Sequence, residues 1–172
     1  PDVARSLVET SDGGFALAGF TRSVAGDMDC WLVKIDASGN MEWNQTYGGP
    51  ENDYANSLVA TSDGGYAIAG WTYSFGAGGY DFWLVETDEF GNVEWNQTYG
   101  GTNLDDAYSL VELSDGGYAI AGSFEPLETG YSDLWLFKTD AYGNMEWNKT
   151  YGGTNHDFAI SLVVTPDGGY AM

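Results

Sequence analysis

Residues 106–153 read DAYSLVELSDGGYAIAGSFEPLETGYSDLWLFKTDAYGNMEWNKTYGG, and the same series of signals returns along the whole chain. The turn sequence SDGG, or PDGG in the last copy, places an aspartate at intervals of 51, 52 and 52 residues. The tripeptide EWN has the same period. A fixed period of this length indicates a repeat architecture, in which each repeat is one supersecondary unit that stacks on its neighbours. The turn aspartates are Asp12, Asp63, Asp115 and Asp167.

Each repeat divides into four short strands, which we name a to d. In the second repeat they are SLVAT (57–61), GYAIAG (65–70), DFWLVETD (81–88) and VEWNQTY (93–99). Asp, Asn and Gly between strands a and b, and between strands c and d, are typical of hairpin turns. No window has a helical period, so we expect essentially no helix.

The patterns of the strands predict their order within each sheet. Strand c is apolar on both faces near its centre, as in Trp83, Leu84 and Val85, which is typical of an interior strand. Strand d alternates, with Trp95 on one face and Glu94 and Asn96 on the other, so one of its faces meets water. We therefore expect strand a at the inner end of each sheet and strand d at the outer end.

Four antiparallel strands in a unit of about 52 residues predict an all-β fold made of β-propeller blades. The predicted blades are residues 1–49, 50–101 and 102–153, with the first half of a fourth blade at 154–172. Propellers typically close with 4 to 8 blades. We therefore expect these blades to belong to a longer propeller, or to assemble with copies of the chain.

The order of these signals resembles that of WD-repeat blades, and DASGNMEW (36–43) is similar to the tryptophan-docking repeat of quinoprotein propellers. The whole chain resembles secreted prokaryotic proteins, particularly archaeal ones, built from tandem SDGGYAIAG…DFWLVKTD…GNMEWNKTYGG repeats. The resemblance implies a propeller fold and an extracellular or cell-surface location. It implies less about activity, because one fold carries many functions.

The net negative charge of the chain argues against anionic partners. The chain has 26 acidic and 5 basic residues, for a net charge of −21. Nucleic acids and anionic membrane surfaces need Lys and Arg, so neither is an expected partner. No apolar run approaches the length of a membrane span. The single Cys30 corresponds to Phe82 and Leu134 in the other repeats, so we interpret it as a core residue.

The residue types give little support for catalysis. His156 is the only histidine, and Arg5 and Arg22 are the only arginines. No Ser or Cys has a base placed beside it by the repeat, so we predict a protein that is not an enzyme. The alternative is a propeller enzyme whose catalytic residues lie in further blades.

Some repeated aspartates are candidate calcium ligands, and we expect no other cofactor. The c–d turns read D-x-x-G-N and lack the alternating oxygen ligands of a calcium loop. The d–a loops each carry an aspartate that either ties neighbouring blades together or lines a calcium site. The c–d turn aspartates are Asp36, Asp88 and Asp140, and those of the d–a loops are Asp53, Asp105 and Asp157.

The motif N-x-T occurs in every strand d, at Asn44, Asn96 and Asn148. The Asn and Thr side chains share the wet face of an outer strand. They serve either as polar residues that protect an edge strand from pairing or, in a secreted protein, as glycosylation sites.

Loops b–c and d–a share one face of the array, because successive strands alternate in direction, and the b–c loops differ between repeats. Loops on one face of a repeat array commonly carry binding. Aromatic rings can stack on the apolar face of a sugar, and neighbouring carboxylates can accept hydrogen bonds from its hydroxyls. We therefore expect a polysaccharide or a cell-surface protein as ligand. The alternatives are aromatics that seal the loops, and a structural component of an envelope or filament. The candidate residues are Trp71, Tyr73, Phe75, Tyr80, Asp53, Asp105 and Asp106.

Overall fold

The computed structural model describes residues 2–24, 26–126 and 130–172. Within these ranges all regular structure is β, and no helix is long and apolar enough to cross a membrane. This confirms the all-β fold class. Sheet 1 contains β1 (Val3–Glu9), β2 (Phe15–Arg22), β3 (Met28–Ile35) and β4 (Met41–Tyr47). Sheet 2 contains β5 (Asp53–Ala60), β6 (Tyr66–Thr72), β7 (Asp81–Thr87) and β8 (Val93–Tyr99). Sheet 3 contains β9 (Asp106–Glu112), β10 (Tyr118–Phe124), β11 (Asp133–Thr139) and β12 (Met145–Tyr151), and a two-stranded piece contains β13 (Val163–Val164) and β14 (Tyr170–Ala171).

The four strands of each full sheet are antiparallel and lie in chain order, so each repeat folds as a meander. Contacts between neighbouring sheets concentrate on the first strand, because β5 lies against β1, β2 and β3, and β9 lies against β5, β6 and β7. The first strands therefore converge, with the fourth strands at the outer edges. This confirms the expected order and gives three propeller-like blades with part of a fourth.

The core of the protein lies between the sheets. Small residues of strand b, such as Ala67 and Ala69, let the sheets approach, and the tryptophans of strand c fill the wider space. Cys30 belongs to this core and is fully buried, as expected. Between sheets 1 and 2 the buried set includes Ala16, Ala18, Leu32, Leu58, Ile68 and Trp83. Between sheets 2 and 3 it includes Phe82, Leu84, Leu110, Ile120, Trp135 and Phe137.

A β-bulge interrupts strand a in each full sheet. It adds Arg5, Asn56 and Tyr108 as residues without a partner on strand b. A glycine of strand b faces each bulge because the backbones come very close: a Cβ on Gly70 would lie 1.8 Å from the Tyr54 carbonyl oxygen. A bulge re-aims the side chain of its extra residue. The three bulged residues therefore leave the regular alternation of the strand.

The converging strands are joined by one repeated hydrogen bond. A serine hydroxyl in the first strand of each full sheet accepts a hydrogen bond from a backbone N–H of the next repeat, with N–O distances of 3.0 to 3.1 Å. Each bond satisfies a donor on an edge that would otherwise be unpaired. The pairs are Leu58 to Ser6, Leu110 to Ser57 and Leu162 to Ser109.

Strand d differs from the predicted alternation at one residue. Its tryptophans pack between sheets as interpreted, and the Trp95 ring lies 6.2 Å from the ring of Tyr118 in the next sheet. A second bulge removes Glu94 from the alternation, because Glu86 pairs with Trp95 and Thr87 pairs with Val93. Glu42 and Glu146 are the bulged residues of β4 and β12.

Trp83→Ala should lower the free energy of unfolding by about 3–5 kcal/mol, the usual range for truncating a buried aromatic residue. Trp83 is buried between sheets 1 and 2, so its loss leaves a cavity there. Urea denaturation would measure the change, with Tyr142→Ala as the control because Tyr142 is 73% exposed. Equal stabilities of the two variants would contradict the packing described above.

Candidate functional site

The b–c and d–a loops lie on one face, as the sequence predicted, and we call it the loop face. Backbone hydrogen bonds connect the two kinds of loop: Asp105 N donates to Tyr80 O at 2.8 Å, and Tyr73 N donates to Asn52 O at 2.9 Å. The same bond recurs further along, from Asp157 N to Ser132 O at 2.8 Å. The loops therefore fix each other's position at the ends of the converging strands.

Five aromatic residues form a continuous cluster on this face, which we call the loop-face cluster. The Tyr54 and Trp71 rings are stacked, with centroids 4.2 Å apart. Tyr80 and Tyr73 lie 4.9 and 5.6 Å from Trp71. Phe20 extends the cluster towards sheet 1, 4.4 Å from Tyr54. The cluster thus unites three of the four aromatic candidates: Trp71, Tyr73 and Tyr80.

Phe75 lies apart from the loop-face cluster. Phe75 is 42% exposed, its ring lies 5.7 Å from that of Trp83, and the ring edge approaches Gly49 of the d–a loop. Tyr73 is equally exposed, at 44%, but belongs to the cluster. Among the described residues, Phe75 shares no ring contact with Trp71, Tyr73 or Tyr80.

A chain of polar side chains runs beside the aromatic cluster across the three sheets. The Arg5 guanidinium lies over the rings of Phe20 and Tyr54 and donates a hydrogen bond to Asn56 Oδ1. Asn56 Nδ2 donates to Asp106 Oδ1 at 2.8 Å, and Tyr108 also hydrogen-bonds to Asp106. The bulges of strand a place all three of Arg5, Asn56 and Tyr108 in this chain.

Asp106 is the carboxylate at the centre of this polar chain. Burial raises its pKa to about 7, although the hydrogen bonds from Tyr108 and Asn56 and the charge of Arg5 act in the opposite direction. Asp106 in turn contributes to raising the pKa of Tyr80, for which burial is the main cause. Asp106 is buried, and Asn56 and Arg5 link it to the aromatic cluster.

The d–a aspartates hold loops together. In the fully buried Asp53, Oδ2 accepts hydrogen bonds from Gly49 N at 2.8 Å and Ser74 Oγ at 2.6 Å, and Oδ1 accepts one from Thr72 Oγ1. Asp105 accepts from Gly101 N and Glu125 N, and Asp157 accepts from Gly153 N at 3.0 Å. The structure does not gather Asp53, Asp105 and Asp157 into one ligand set, because each lies in a different d–a loop.

The three N-x-T asparagines are exposed on the outer strands. Each asparagine Oδ1 accepts a hydrogen bond from the indole N–H of the strand c tryptophan in the same sheet, at 3.1 to 3.3 Å. The indoles belong to Trp31, Trp83 and Trp135.

The opposite face carries a second repeated arrangement, which we call the turn triad. In sheet 1, Lys34 Nζ lies 2.8 Å from both Asp12 and Glu42. In sheet 3, Lys138 Nζ lies 2.6 Å from both Asp115 and Glu146.

The turn triad of sheet 2 has no lysine, because Glu86 occupies that position between Asp63 and Glu94. Burial raises the pKa of Glu86 to about 7, while a hydrogen bond from Tyr118 lowers it. This position was missed in the sequence, although WLVKI, WLVET and WLFKT show the exchange when the repeats are aligned.

Fold and loop face together define a tandem-repeat protein of propeller-like architecture. No protein-family model matches the chain. The chain is 25% identical over 166 residues to the regulatory protein FlaEY of Caulobacter vibrioides, a match that covers 82% of this chain. The chain spans about 17% of the length of that relative.

Asp106→Asn should flatten the pH dependence of stability between about pH 4 and pH 7. The folded-state pKa of Asp106 is about 7 and an unfolded aspartate titrates near 3.9, so the folded protein binds the extra proton within this window. The Asp106 contribution to the free energy of unfolding is therefore present at low pH and is lost as pH rises through 7. From pH 4.5 to pH 7.5, the free energy of unfolding of the variant should rise by roughly 2–4 kcal/mol relative to that of wild type.

Urea denaturation at the two pH values measures this difference. Glu86 titrates in both proteins, so its effect cancels. The amide oxygen of the new Asn can still accept the hydrogen bond from Asn56 Nδ2. If the free energy of unfolding changes with pH by the same amount in both proteins, Asp106 is not the titrating group.

Proposed function

We propose that the chain is a non-enzymatic binding and scaffolding module that works outside the cell or at its surface, and that it binds a polysaccharide on the loop face. A cell-surface protein is the alternative ligand. The observation that carries the proposal is the part-exposed aromatic cluster of Trp71, Tyr73 and Tyr80, which Arg5 and Asn56 link to the Asp106 carboxyl group.

Sugar recognition needs two kinds of group, and the loop face offers both. Aromatic planes cover the apolar face of a sugar ring, while carboxylates and amides bind its hydroxyls. Tyr73 and Trp71 provide planes that are neither buried nor fully exposed. The polar chain through Asn56, Asp106 and Tyr108 provides acceptors and donors within a few ångströms of one another.

Differences between the repeats also support a binding role for this face. The core positions hold alanine, leucine and tryptophan in every sheet, because packing requires them. Trp71 corresponds to Phe20 and Ser123, and Asn56 corresponds to Arg5 and Tyr108. Packing does not demand one residue type at these positions, so they are free to serve a ligand.

The proposed location rests on the resemblance to secreted tandem-repeat proteins and on the three N-x-T motifs. We propose that Asn44, Asn96 and Asn148 carry glycans, since their side chains are exposed on outer strands. A glycan on strand d would also prevent pairing with strands of other chains.

A glycan array probed with the labelled protein tests the polysaccharide proposal. Trp71→Ala and Tyr73→Ala should each reduce binding at least about tenfold while stability changes by less than ~1 kcal/mol, as is usual for part-exposed positions. Phe75→Ala is the matched control, because Phe75 has the same exposure and the same loop but lies outside the cluster. If no glycan binds, or if Phe75→Ala weakens binding as much as Tyr73→Ala, this site is wrong.

A structural role in a cell envelope or filament is the second candidate, and one surface favours it. The open face of sheet 1 presents Leu17, Trp31 and Val33 around an apolar groove. The residues that correspond to them in sheet 2, Ile68, Trp83 and Val85, are buried against sheet 1. The open face therefore has the chemistry of a sheet-to-sheet contact, and we propose that a blade of another copy packs on it.

Leu17→Lys should weaken self-association at least about tenfold, because a charge in an apolar contact loses its hydration. Sedimentation over a range of protein concentrations would measure the association. Phe90→Lys introduces the same charge on the exposed c–d turn and should leave association unchanged. A wild-type protein that stays monomeric at high concentration would remove this candidate.

A further inference from the structure

The turn triad of sheet 2 departs from the two others in its charge. In each blade it combines the aspartate of the a–b turn, the penultimate residue of strand c and the bulged glutamate of strand d. Sheets 1 and 3 place a lysine ammonium between the two carboxylates, so each of those triads contains a cation. In sheet 2, Glu86 takes the place of the lysine, and its triad holds three carboxylates.

The geometry brings these three acidic groups close together. Ligand oxygens of Asp63, Glu86 and Glu94 all lie within 4.8 Å of one another. Glu86 is only 5% exposed, and one of its oxygens accepts a hydrogen bond from the Tyr118 hydroxyl of sheet 3. Three carboxylates at such distances repel one another, and a positive charge bound between them would offset that repulsion.

In the sister blades, which are sheets 1 and 3, the corresponding carboxylates bind a cation, the ammonium of a lysine side chain. The ammonium of Lys34 contacts Asp12 Oδ2 and Glu42 Oε2, and that of Lys138 contacts the same two oxygens in sheet 3. In sheet 2 the hydrogen bonds from Thr61 and Gly65 both end on Asp63 Oδ1. Neither turn hydrogen bond uses Asp63 Oδ2, and in both sister blades the corresponding oxygen binds the ammonium.

We propose that the turn triad of sheet 2 is a binding site for a divalent metal ion, Ca²⁺, held by Asp63, Glu86 and Glu94. The metal ion takes the role that the lysine ammonium has in sheets 1 and 3. It joins the a–b turn to strands c and d of the same blade.

The ligand chemistry favours calcium. All three side chains offer carboxylate oxygens, which suit hard cations such as Ca²⁺, whereas zinc and copper sites use His or Cys. Two oxygens bound to Ca²⁺ at 2.3–2.6 Å lie at most about 5 Å apart, which agrees with the observed spacing. Calcium also accepts an irregular ligand geometry, whereas Mg²⁺ demands a near-ideal octahedron.

The surrounding pocket leaves room for the remaining ligands. It has a volume of about 280 Å³ and lies between sheets 2 and 3. Glu112, which accepts hydrogen bonds from Ser62 N and Oγ, lines the pocket together with Trp95 and Tyr118. Water can therefore complete the coordination of an ion that is bound on one side by the triad.

Terbium luminescence tests this site directly, because Tb³⁺ replaces Ca²⁺ at oxygen sites and Trp95 in the pocket wall can sensitise its emission. Wild-type protein should give saturable emission with one ion per chain, and added Ca²⁺ should displace it. Glu86→Lys recreates the triad of the sister blades and should abolish the signal. Asp63→Asn, at an exposed turn, should weaken binding at least about tenfold, and it keeps the test decisive if Glu86→Lys does not fold.

Glu89→Lys is the matched control. It makes the same change of charge at an exposed turn residue outside the triad, and it should keep wild-type affinity. Thermal melts give a second readout: millimolar Ca²⁺ should raise the melting temperature of wild type and Glu89→Lys but not that of Glu86→Lys, relative to NaCl of equal ionic strength. No saturable Tb³⁺ signal in wild type would overturn the proposal. So would equal Tb³⁺ and Ca²⁺ responses in all variants, since these would reflect only the net negative charge.

Discussion

Neighbouring sheets meet through the alanines and glycines of strand b, where they approach closely, and through the tryptophans of strand c, where more space must be filled. This difference in side-chain size makes each contact a wedge, so that the first strands converge and the fourth strands spread apart. All other features follow from it. Because the wedges occupy the sheet faces that meet a neighbouring sheet, the polar and variable residues collect at the two ends of the strands. One end is the loop face, and the other is the opposite face, which carries the turn triads.

The two ends share one structural device. On both faces, a bulge takes one residue per sheet out of the alternation that packing imposes. On strand a the bulge delivers Arg5, Asn56 and Tyr108 to the polar chain of the loop face. On strand d it delivers Glu42, Glu94 and Glu146 to the turn triads. Side chains at bulges can therefore change between repeats without disturbing the core. The strand a bulges use this freedom, whereas the strand d bulges hold glutamate in all three sheets. The exchange of lysine for Glu86 lies instead on strand c, at a position with regular partners on both sides.

The sequence was sufficient to predict the fold but only part of the candidate site. Period, turn residues and alternation predicted the four strands, their order and the shared loop face. Strand a was predicted at 57–61, whereas β5 is Asp53–Ala60, because the pairing continues past a bulge that breaks the alternation. Because the predicted strand began after this bulge, the role of Asn56 in the polar chain was not predicted. Trp71, Tyr73 and Tyr80 could be predicted because aromatic residues stand out in a polar loop, but only the coordinates separate Phe75 from them. The exchange of lysine for Glu86 is visible in the aligned repeats, yet its proximity to Glu94 depends on the second bulge.

The serine hydrogen bonds between the first strands have a direction. Every serine accepts from the blade that follows it, and no pair runs the other way among the three that the described residues form. The array therefore has a polarity, with one end that offers backbone donors and another that offers hydroxyl acceptors. Two such arrays joined through these ends must meet head to tail, because like ends do not match. Head-to-tail contacts are heterologous: they give a closed ring when the rotation per unit divides a full turn, and a helical filament when it does not. The angle between successive blades would thus decide between a discrete particle and a fibre.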